Sequence, residues 1–154
     1  MQEKPRAVEV QLKEEIPGLS VPLTGAMDLV EGNFTPVDFK SAAAKPDPAH
    51  AAFDHEIQLV SYQLLLEAIG ESPPSLDLVV LVKTKTPQVI RVKSPPADAH
   101  RKRRVTALLE TAVEGITNNR HHPQPGMHCS WCQYRNECMA WLPGMTATEL
   151  LTAA

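Results

Sequence analysis

The chain has 154 residues, of which 43% are hydrophobic and 21% charged, proportions typical of one globular domain with its own core. The net charge of −3 excludes a protein that attracts nucleic acid over its whole surface, so any basic binding surface must be local. No apolar run approaches the ~20 residues needed to cross a bilayer, and residues 1–10 lack the apolar centre of a signal peptide. We therefore expect a cytoplasmic protein with no membrane partner.

The first forty residues predict an antiparallel meander of three strands. Residues 7–14 alternate between apolar and polar side chains, as a half-buried strand does. Residues 21–31 predict a second strand. The dipeptide Gly32-Asn33 is a hairpin signal, and residues 35–41 predict the third strand after it.

The rest of the chain alternates between helical and extended patterns. Residues 49–69 predict one helix, residues 76–83 and 88–94 predict two more strands, and residues 97–118 predict a last long helix. The order β-β-β-α-β-β-α predicts an α/β or α+β fold, with a central mixed sheet flanked by helices. The apolar stripe of the first helix is expected to consist of Phe53, Ile57, Val60, Leu64 and Ala68.

The third predicted strand contains an acid and a base two residues apart. Asp38 and Lys40 point to the same face of a strand. Counting outward from the hairpin turn places Asp28 roughly opposite Asp38, and two close carboxylates repel each other unless a cation lies between them. Mg²⁺ and Mn²⁺ prefer such oxygen ligands, and Lys40 beside them could stabilise charge on a phosphate. The alternative interpretation of this spacing is a surface salt bridge between Asp38 and Lys40.

Two polar residues of the first predicted helix could complete such a site. Gln58 and Tyr62 lie four residues apart and therefore share one face of the helix, beside its apolar stripe. They could line the rim of a site. The alternative is an ordinary helix edge with a solvated glutamine.

Three short motifs, GAMDLVE, PVDFKSA and QLVSY, occur in order on these elements. Together they resemble the PD-(D/E)XK nuclease superfamily, especially its RecB-like and CRISPR-associated exonuclease branch. The resemblance covers about residues 8–138 and implies a restriction-endonuclease-like core that cleaves DNA with Mg²⁺ or Mn²⁺. It implies that the metal ligands are Asp28, Asp38 and the Phe39 carbonyl, and that the catalytic residues are Asp28, Asp38, Lys40, Gln58 and Tyr62.

The resemblance also implies a cellular role. We expect a metal-dependent DNA nuclease, an exonuclease acting in recombination, repair or CRISPR adaptation, with DNA as its substrate and a larger complex as its partner. The helical segment that precedes the first strand in relatives is absent from this sequence. The alternative is therefore a degenerate or incomplete nuclease-fold module that binds DNA as a scaffold.

The three cysteines of the chain lie together near its end, as Cys129, Cys132 and Cys138. Such spacing predicts metal or cluster ligation rather than disulfides in a cytoplasmic protein. It resembles the iron–sulfur nucleases of the family, where a fourth cysteine, absent here, completes a 4Fe–4S cluster. Two alternatives remain open, namely a zinc site completed by His121 or His122, and free thiols.

A run of cations opens the last predicted helix. It consists of Arg101, Lys102, Arg103 and Arg104. Cations at a helix N-terminus oppose the helix dipole, so contact with nucleic-acid phosphates is one interpretation and a solvated charged face is the other. For the whole chain we predict a nuclease core over residues 1–120, a cysteine segment over 121–143 and a tail over 144–154.

Overall fold

The computed structural model describes residues 5–120, 122–146, 148, 149 and 152. The chain forms two compact units, Met1–Glu110 and Thr111–Ala154, and the boundary between them falls within the last long helix. The predicted domain limits at residues 120 and 143 stay predictions.

Five strands of the first unit form one mixed sheet, as the sequence predicts. The spatial order is β1-β2-β3-β4-β5. All neighbouring strands are antiparallel except β3 and β4, which are parallel. The strands are β1 (Ala7–Glu14), β2 (Leu23–Val30), β3 (Pro36–Ala42), β4 (Leu76–Val82) and β5 (Gln88–Ser94).

The crossover between the parallel strands β3 and β4 contains two helices where the sequence predicts one. They are α1 (Pro48–Asp54) and α2 (Glu56–Ala68). The prediction was wrong at His55, whose backbone leaves the helical region at φ −106° and ψ 13°. Asp47 caps α1 by accepting hydrogen bonds from the first free N–H groups of the helix. The last long helix, α3 (Ala99–Thr117), lies within the predicted range.

The buried face of α2 also differs from the predicted stripe. Phe53 and Ile57 are exposed, whereas Tyr62 and Gln63 are buried. A pattern of apolar residues misplaces this face because it does not count polar side chains that are buried by means of hydrogen bonds.

Helix α2 lies between two apolar clusters and anchors both. The first cluster lies between the helices and strands β4 and β5, and the second lies against β2. This position holds the Tyr62 side of α2 over the strands that carry Asp28 and Asp38. The buried members of the second cluster are Met27, Val30, Tyr62 and Leu66.

The side chain of Gln63 on α2 holds the segment that precedes α3 in place. Its side-chain amide accepts a hydrogen bond from Ala97 N at 2.7 Å and donates one to Ala97 O at 3.2 Å. Both residues are buried. The amide therefore satisfies a backbone N–H and a backbone C=O that have lost access to water.

The second unit contains short helical elements where the sequence predicts irregular structure. A 3₁₀ turn spans Met127–Ser130, and helix α4 spans Arg135–Ala140. Within the described part of the chain, no helix is both long and apolar enough to cross a membrane.

Candidate active site

The ladder between β2 and β3 ends just before the two predicted metal ligands. Backbone pairing covers only Leu29 with Val37 and Val30 with Pro36, next to the turn. The same register extended by one residue places Asp28 opposite Asp38. The two carboxylates therefore stand where the strands stop pairing, as a hairpin centred on the turn predicts.

Beyond the last backbone pair of β2 and β3, a hydrogen bond from a backbone N–H to a side chain joins the two strands. Asp28 Oδ2 accepts a hydrogen bond from the backbone N–H of Phe39 at 2.7 Å. In a regular strand the N–H and C=O groups of one residue point to the same neighbouring strand. The carbonyl of Phe39 therefore lies on the strand edge that faces the Asp28 carboxylate, as the predicted ligand set requires.

Strand β1 is distorted at the same level of the sheet. Glu9 has a positive φ of 52°, a conformation that costs energy for a residue other than glycine. The pairs on either side of it are Val8 with Leu29 and Val10 with Met27, so Glu9 lies opposite Asp28 without pairing to it. The sheet is thus irregular on both sides of Asp28.

The Asp38 carboxylate is buried, with an exposed fraction of only 2% for the residue. Its Oδ1 atom accepts a hydrogen bond from Gln58 Nε2 at 2.8 Å, with the Tyr62 hydroxyl at 3.3 Å. Its Oδ2 atom lies 2.5 Å from Lys40 Nζ as an ion pair, but makes no hydrogen bond of normal geometry with the described residues. The predicted Asp38–Lys40 pair is therefore a half-buried contact, not a solvated surface bridge.

Tyr62 connects the helix to both strands. Its hydroxyl donates to the carbonyl of Ala26 at 2.7 Å and accepts from Gln58 Nε2 at 2.7 Å. Burial raises the pKa of Tyr62, and the negative charges of Asp38 and Asp28 raise it further, against the opposing effect of Gln58. The hydroxyl is therefore protonated at neutral pH and acts as a donor. The Ala26 carbonyl is a partner that no sequence signal indicated.

Gly25, the first residue of the G-x-x-D motif, lets α2 approach β2. A Cβ atom at this position would lie 2.6 Å from Leu65 Cδ1 and 3.6 Å from Tyr62 Cε1. Leu65 is fully buried and has little room to move. A glycine is thus needed where the helix that carries Tyr62 crosses the strand that carries Asp28.

The donor set fits a hard divalent cation. Asp28 and Asp38 supply carboxylate oxygens, and Phe39 supplies a carbonyl; the buried Oδ2 atom of Asp38 is paired, among the described residues, with Lys40 alone. Mg²⁺ commonly takes only one or two carboxylates and fills its other positions with water or phosphate oxygens. Among the described residues no group of three or more His, Cys, Asp or Glu side chains could hold a metal, so a closed protein cage is not the type of site found here.

Three of the four predicted phosphate-binding cations at the start of α3 have acidic partners on α2. Arg101 and Arg104 both pair with Glu56, the former at 2.9 Å, and Lys102 pairs with Glu67 at 2.9 Å. The hydrogen bond from Arg101 lowers the pKa of Glu56. These ion pairs explain why cations can open α3 despite its dipole, and a role in nucleic-acid binding stays a prediction.

The cysteines line one pocket of the second unit. Cys129, Cys132 and Cys138 surround a space of about 490 Å³ together with His122 and His128. They are partly exposed, and within the described residues they form no group close enough to hold a metal. His121, the other predicted zinc ligand, lies outside the described residues. Within the part of the chain that the structure describes, the geometry gives no support to an iron–sulfur cluster or to a zinc site completed by His122.

The sequence of this chain matches the family model of the PD-(D/E)XK nuclease superfamily over residues 1–139. The chain belongs to that superfamily. The resemblance found in the three motifs is thereby confirmed, and so is the restriction-endonuclease-like core with its mixed sheet and flanking helices.

Solved structures show the same fold at low sequence identity. The crystal structure of SSO0001 has a TM-score of 0.55 and 17% identity, covering 91% of this chain and 61% of that one. A protein from Eubacterium rectale with a provisional exonuclease assignment has a TM-score of 0.56 and 13% identity, covering 96% of this chain and 57% of that one. This chain thus spans less than two thirds of either protein. No curated protein matches it.

Proposed function

We propose that this nuclease-superfamily chain hydrolyses phosphodiester bonds of DNA with Mg²⁺ or Mn²⁺, as a nuclease of the RecB-like type. One observation carries the proposal, namely that the buried carboxylate of Asp38 contacts Lys40 while Asp28 lies at the adjoining edge of β2. An ordinary stabilising pair does not require a second carboxylate at the same break in the ladder.

Asp28, Asp38 and the carbonyl of Phe39 would hold the metal ion. When bound, the ion would polarise the scissile phosphate and lower the pKa of a coordinated water. The Oδ2 atom of Asp38 suits this task because it is buried and, apart from its ion pair with Lys40, makes no hydrogen bond with the described residues.

Lys40 would act on the reacting groups. Its side chain is 30% exposed although its Nζ atom contacts Asp38. The ammonium group can therefore reach a substrate while its position is fixed by the carboxylate. There it would donate hydrogen bonds to the attacking water or to a phosphate oxygen and stabilise the negative charge that develops during the reaction.

Gln58 and Tyr62 would orient the Asp38 carboxylate. Gln58 Nε2 donates to Oδ1, and the Tyr62 hydroxyl, whose proton goes to the Ala26 carbonyl, lies 3.3 Å from the same oxygen. This leaves Oδ2 as the oxygen that faces Lys40 and the metal. A fixed carboxylate orientation matters because small displacements of a catalytic group lower reaction rates steeply.

We further propose an exonuclease that acts on DNA in recombination, repair or CRISPR adaptation, within a larger complex. The fold shared with the E. rectale protein supports an exonuclease.

A nuclease assay with a matched control tests the proposal. Purified protein is incubated with Mn²⁺ or Mg²⁺ and end-labelled linear DNA, single- or double-stranded. We expect degradation by the wild type and by Lys13→Ala, which removes an exposed strand lysine, and none by Lys40→Ala at unchanged far-UV circular dichroism. If wild type and Lys40→Ala are equally inert while both bind DNA, the scaffold alternative replaces the nuclease.

A further inference from the structure

Arg91 joins three elements of the sheet through its guanidinium group. Its Nε atom donates to Asp77 Oδ2 at 2.6 Å. Its Nη1 and Nη2 atoms donate to the two carboxylate oxygens of Glu31, each at 2.8 Å. The second contact is a parallel pair of charge-assisted hydrogen bonds, which fixes direction as well as distance. We call Arg91, Asp77 and Glu31 the arginine clamp.

The buried carboxylate of Asp77 requires the positive charge of Arg91. The residue is fully buried, and its Oδ1 atom has no hydrogen-bond partner among the described residues. A buried carboxylate without a paired cation is strongly unfavourable. An aspartate in the otherwise apolar strand LDLVVLV is also the sequence signal that could have revealed the clamp.

Arg91 and Glu31 of the clamp each stabilise the charged form of the other. Hydrogen bonding to Glu31 raises the pKa of Arg91, with a further contribution from Asp77. Hydrogen bonding to Arg91 lowers the pKa of Glu31. The contact between Arg91 and Glu31 is therefore an ion pair at neutral pH.

The clamp lies close to the proposed metal ligands, at the end of β2 and beside the start of β3. Glu31 directly follows β2, three residues after Asp28. Asp77 pairs with Val37 across the parallel β3–β4 ladder, one residue from Asp38. The clamp thus fixes the end of β2 relative to the strand that holds β3 in place.

The backbone fixes that relationship mainly at the turn, where Glu31 N donates to Thr35 O at 3.0 Å, and less in the direction of Asp28 and Asp38. The β2–β3 ladder contains two residue pairs, whereas β3 and β4 share six. Strands held by so short a ladder can shift in separation and twist. The distance between the carboxylates of Asp28 and Asp38 is therefore sensitive to any other contact that joins their strands.

We propose that Arg91, acting through Glu31 and Asp77, is a positioning residue that sets the separation of Asp28 and Asp38 and thereby the affinity for the divalent ion. The inference rests on the proposed function of these two carboxylates as metal ligands. Loss of a residue that orients metal ligands typically weakens metal affinity about 10- to 100-fold.

Mn²⁺ affinity, measured by isothermal titration calorimetry with the full chain, is the decisive measurement. We expect Arg91→Gln and Glu31→Gln each to weaken Mn²⁺ binding about 10-fold. The double variant should be no weaker than Arg91→Gln, because both changes break the same contact. Glu31→Gln is the milder change, since the Glu31 side chain is 29% exposed and its loss leaves Asp77 paired.

A matched control separates positioning from stability. Glu67→Gln breaks the ion pair between α2 and α3 instead, and its Mn²⁺ affinity should equal that of the wild type. Thermal unfolding shows how much stability each variant loses. If Glu31→Gln binds Mn²⁺ as tightly as Glu67→Gln does, the clamp only stabilises the fold and the inference is overturned.

The two proposals fail in distinguishable ways. If the wild type binds Mn²⁺ and Asp38→Asn does not, while the clamp variants bind normally, only the positioning role is lost. If the wild type itself binds no Mn²⁺, both the metal-dependent function and the positioning role are wrong.

Discussion

The backbone N–H of Phe39 donates its hydrogen bond to the side chain of Asp28, not to a strand carbonyl. Asp28, a proposed metal ligand, thus also replaces the acceptor of one backbone hydrogen bond between β2 and β3. The two tasks can be separated by mutation, because a neutral amide oxygen can still accept a hydrogen bond but binds a divalent cation more weakly than a carboxylate does.

Asp28→Asn is predicted to keep the structural task of Asp28 and lose the proposed chemical one. The asparagine oxygen can still accept from Phe39 N–H, so the free energy of unfolding in urea should stay close to that of the wild type. Asp28→Ala removes the acceptor and should cost about 1 kcal/mol. Both variants should lose Mn²⁺ binding and DNA hydrolysis. Substantial hydrolysis by Asp28→Asn would show that the carboxylate is not a metal ligand.

Tyr62→Phe is predicted to lower activity more than stability. The change deletes the bond to the Ala26 carbonyl and the contact with Asp38, at a cost of about 1 kcal/mol. A less firmly oriented Asp38 should lower the rate about 10-fold or more, since a displacement of ~1 Å can cost 100-fold. The comparison is between kcat on labelled DNA and the urea unfolding midpoint. A variant that loses stability but keeps the wild-type kcat would leave Tyr62 with a packing role alone.

The extended segments could be predicted from the sequence because their side chains alternate and turn residues separate them. All five strands lie at the predicted positions to within two residues at either end. The helix break at His55 could not be predicted, since the segment contains neither glycine nor proline. The buried position of Tyr62 depends on an acceptor on another strand, the Ala26 carbonyl.

Only those features of the site that depend on residue spacing within one hairpin could be predicted from the sequence. The hairpin turn defines which residues face each other, so Asp28 and Asp38 could be brought together by counting. The ion pairs of α3 with Glu56 and Glu67 depend on how two helices pack. The clamp on Asp77 depends on three strands. The partners in such contacts are set by tertiary structure, although Asp77 in the otherwise apolar strand LDLVVLV signals that a partner is needed.

Gly25→Ala is predicted to destabilise the protein by about 1–3 kcal/mol, because the new methyl group would overlap Leu65 in a packed core. Relief of the overlap would move α2, and Tyr62 with it, away from β2, so activity should fall as well. Gly32→Ala in the hairpin turn is the matched control. Nothing lies within 4 Å of a Cβ atom there, and the change should be nearly neutral in urea unfolding. Equal stability of the two variants would show that the helix can adjust without cost.

Lowering the pH is predicted to weaken the ion pairs of Glu56 on α2 with Arg101 and Arg104 on α3. The Glu56 pKa is lowered in the folded protein, first by the hydrogen bond from Arg101 and then by the one from Arg104. A carboxyl group with a lowered folded pKa stabilises the fold at pH values above its ordinary pKa of 4.5. That stabilisation is lost as the pH falls from the ordinary pKa through the folded one, because the unfolded chain then takes up the proton first.

Glu56→Gln tests this pH dependence, because a glutamine cannot take up the proton. The free energy of unfolding in urea, measured from neutral pH down to below the ordinary glutamate pKa, should fall less steeply for Glu56→Gln than for the wild type. Glu114→Gln, on α3, serves as the control for removing one glutamate charge and should leave the steepness unchanged. Parallel curves for wild type and Glu56→Gln would mean that the Arg101 and Arg104 contacts contribute no net stability in solution, as is common for exposed ion pairs.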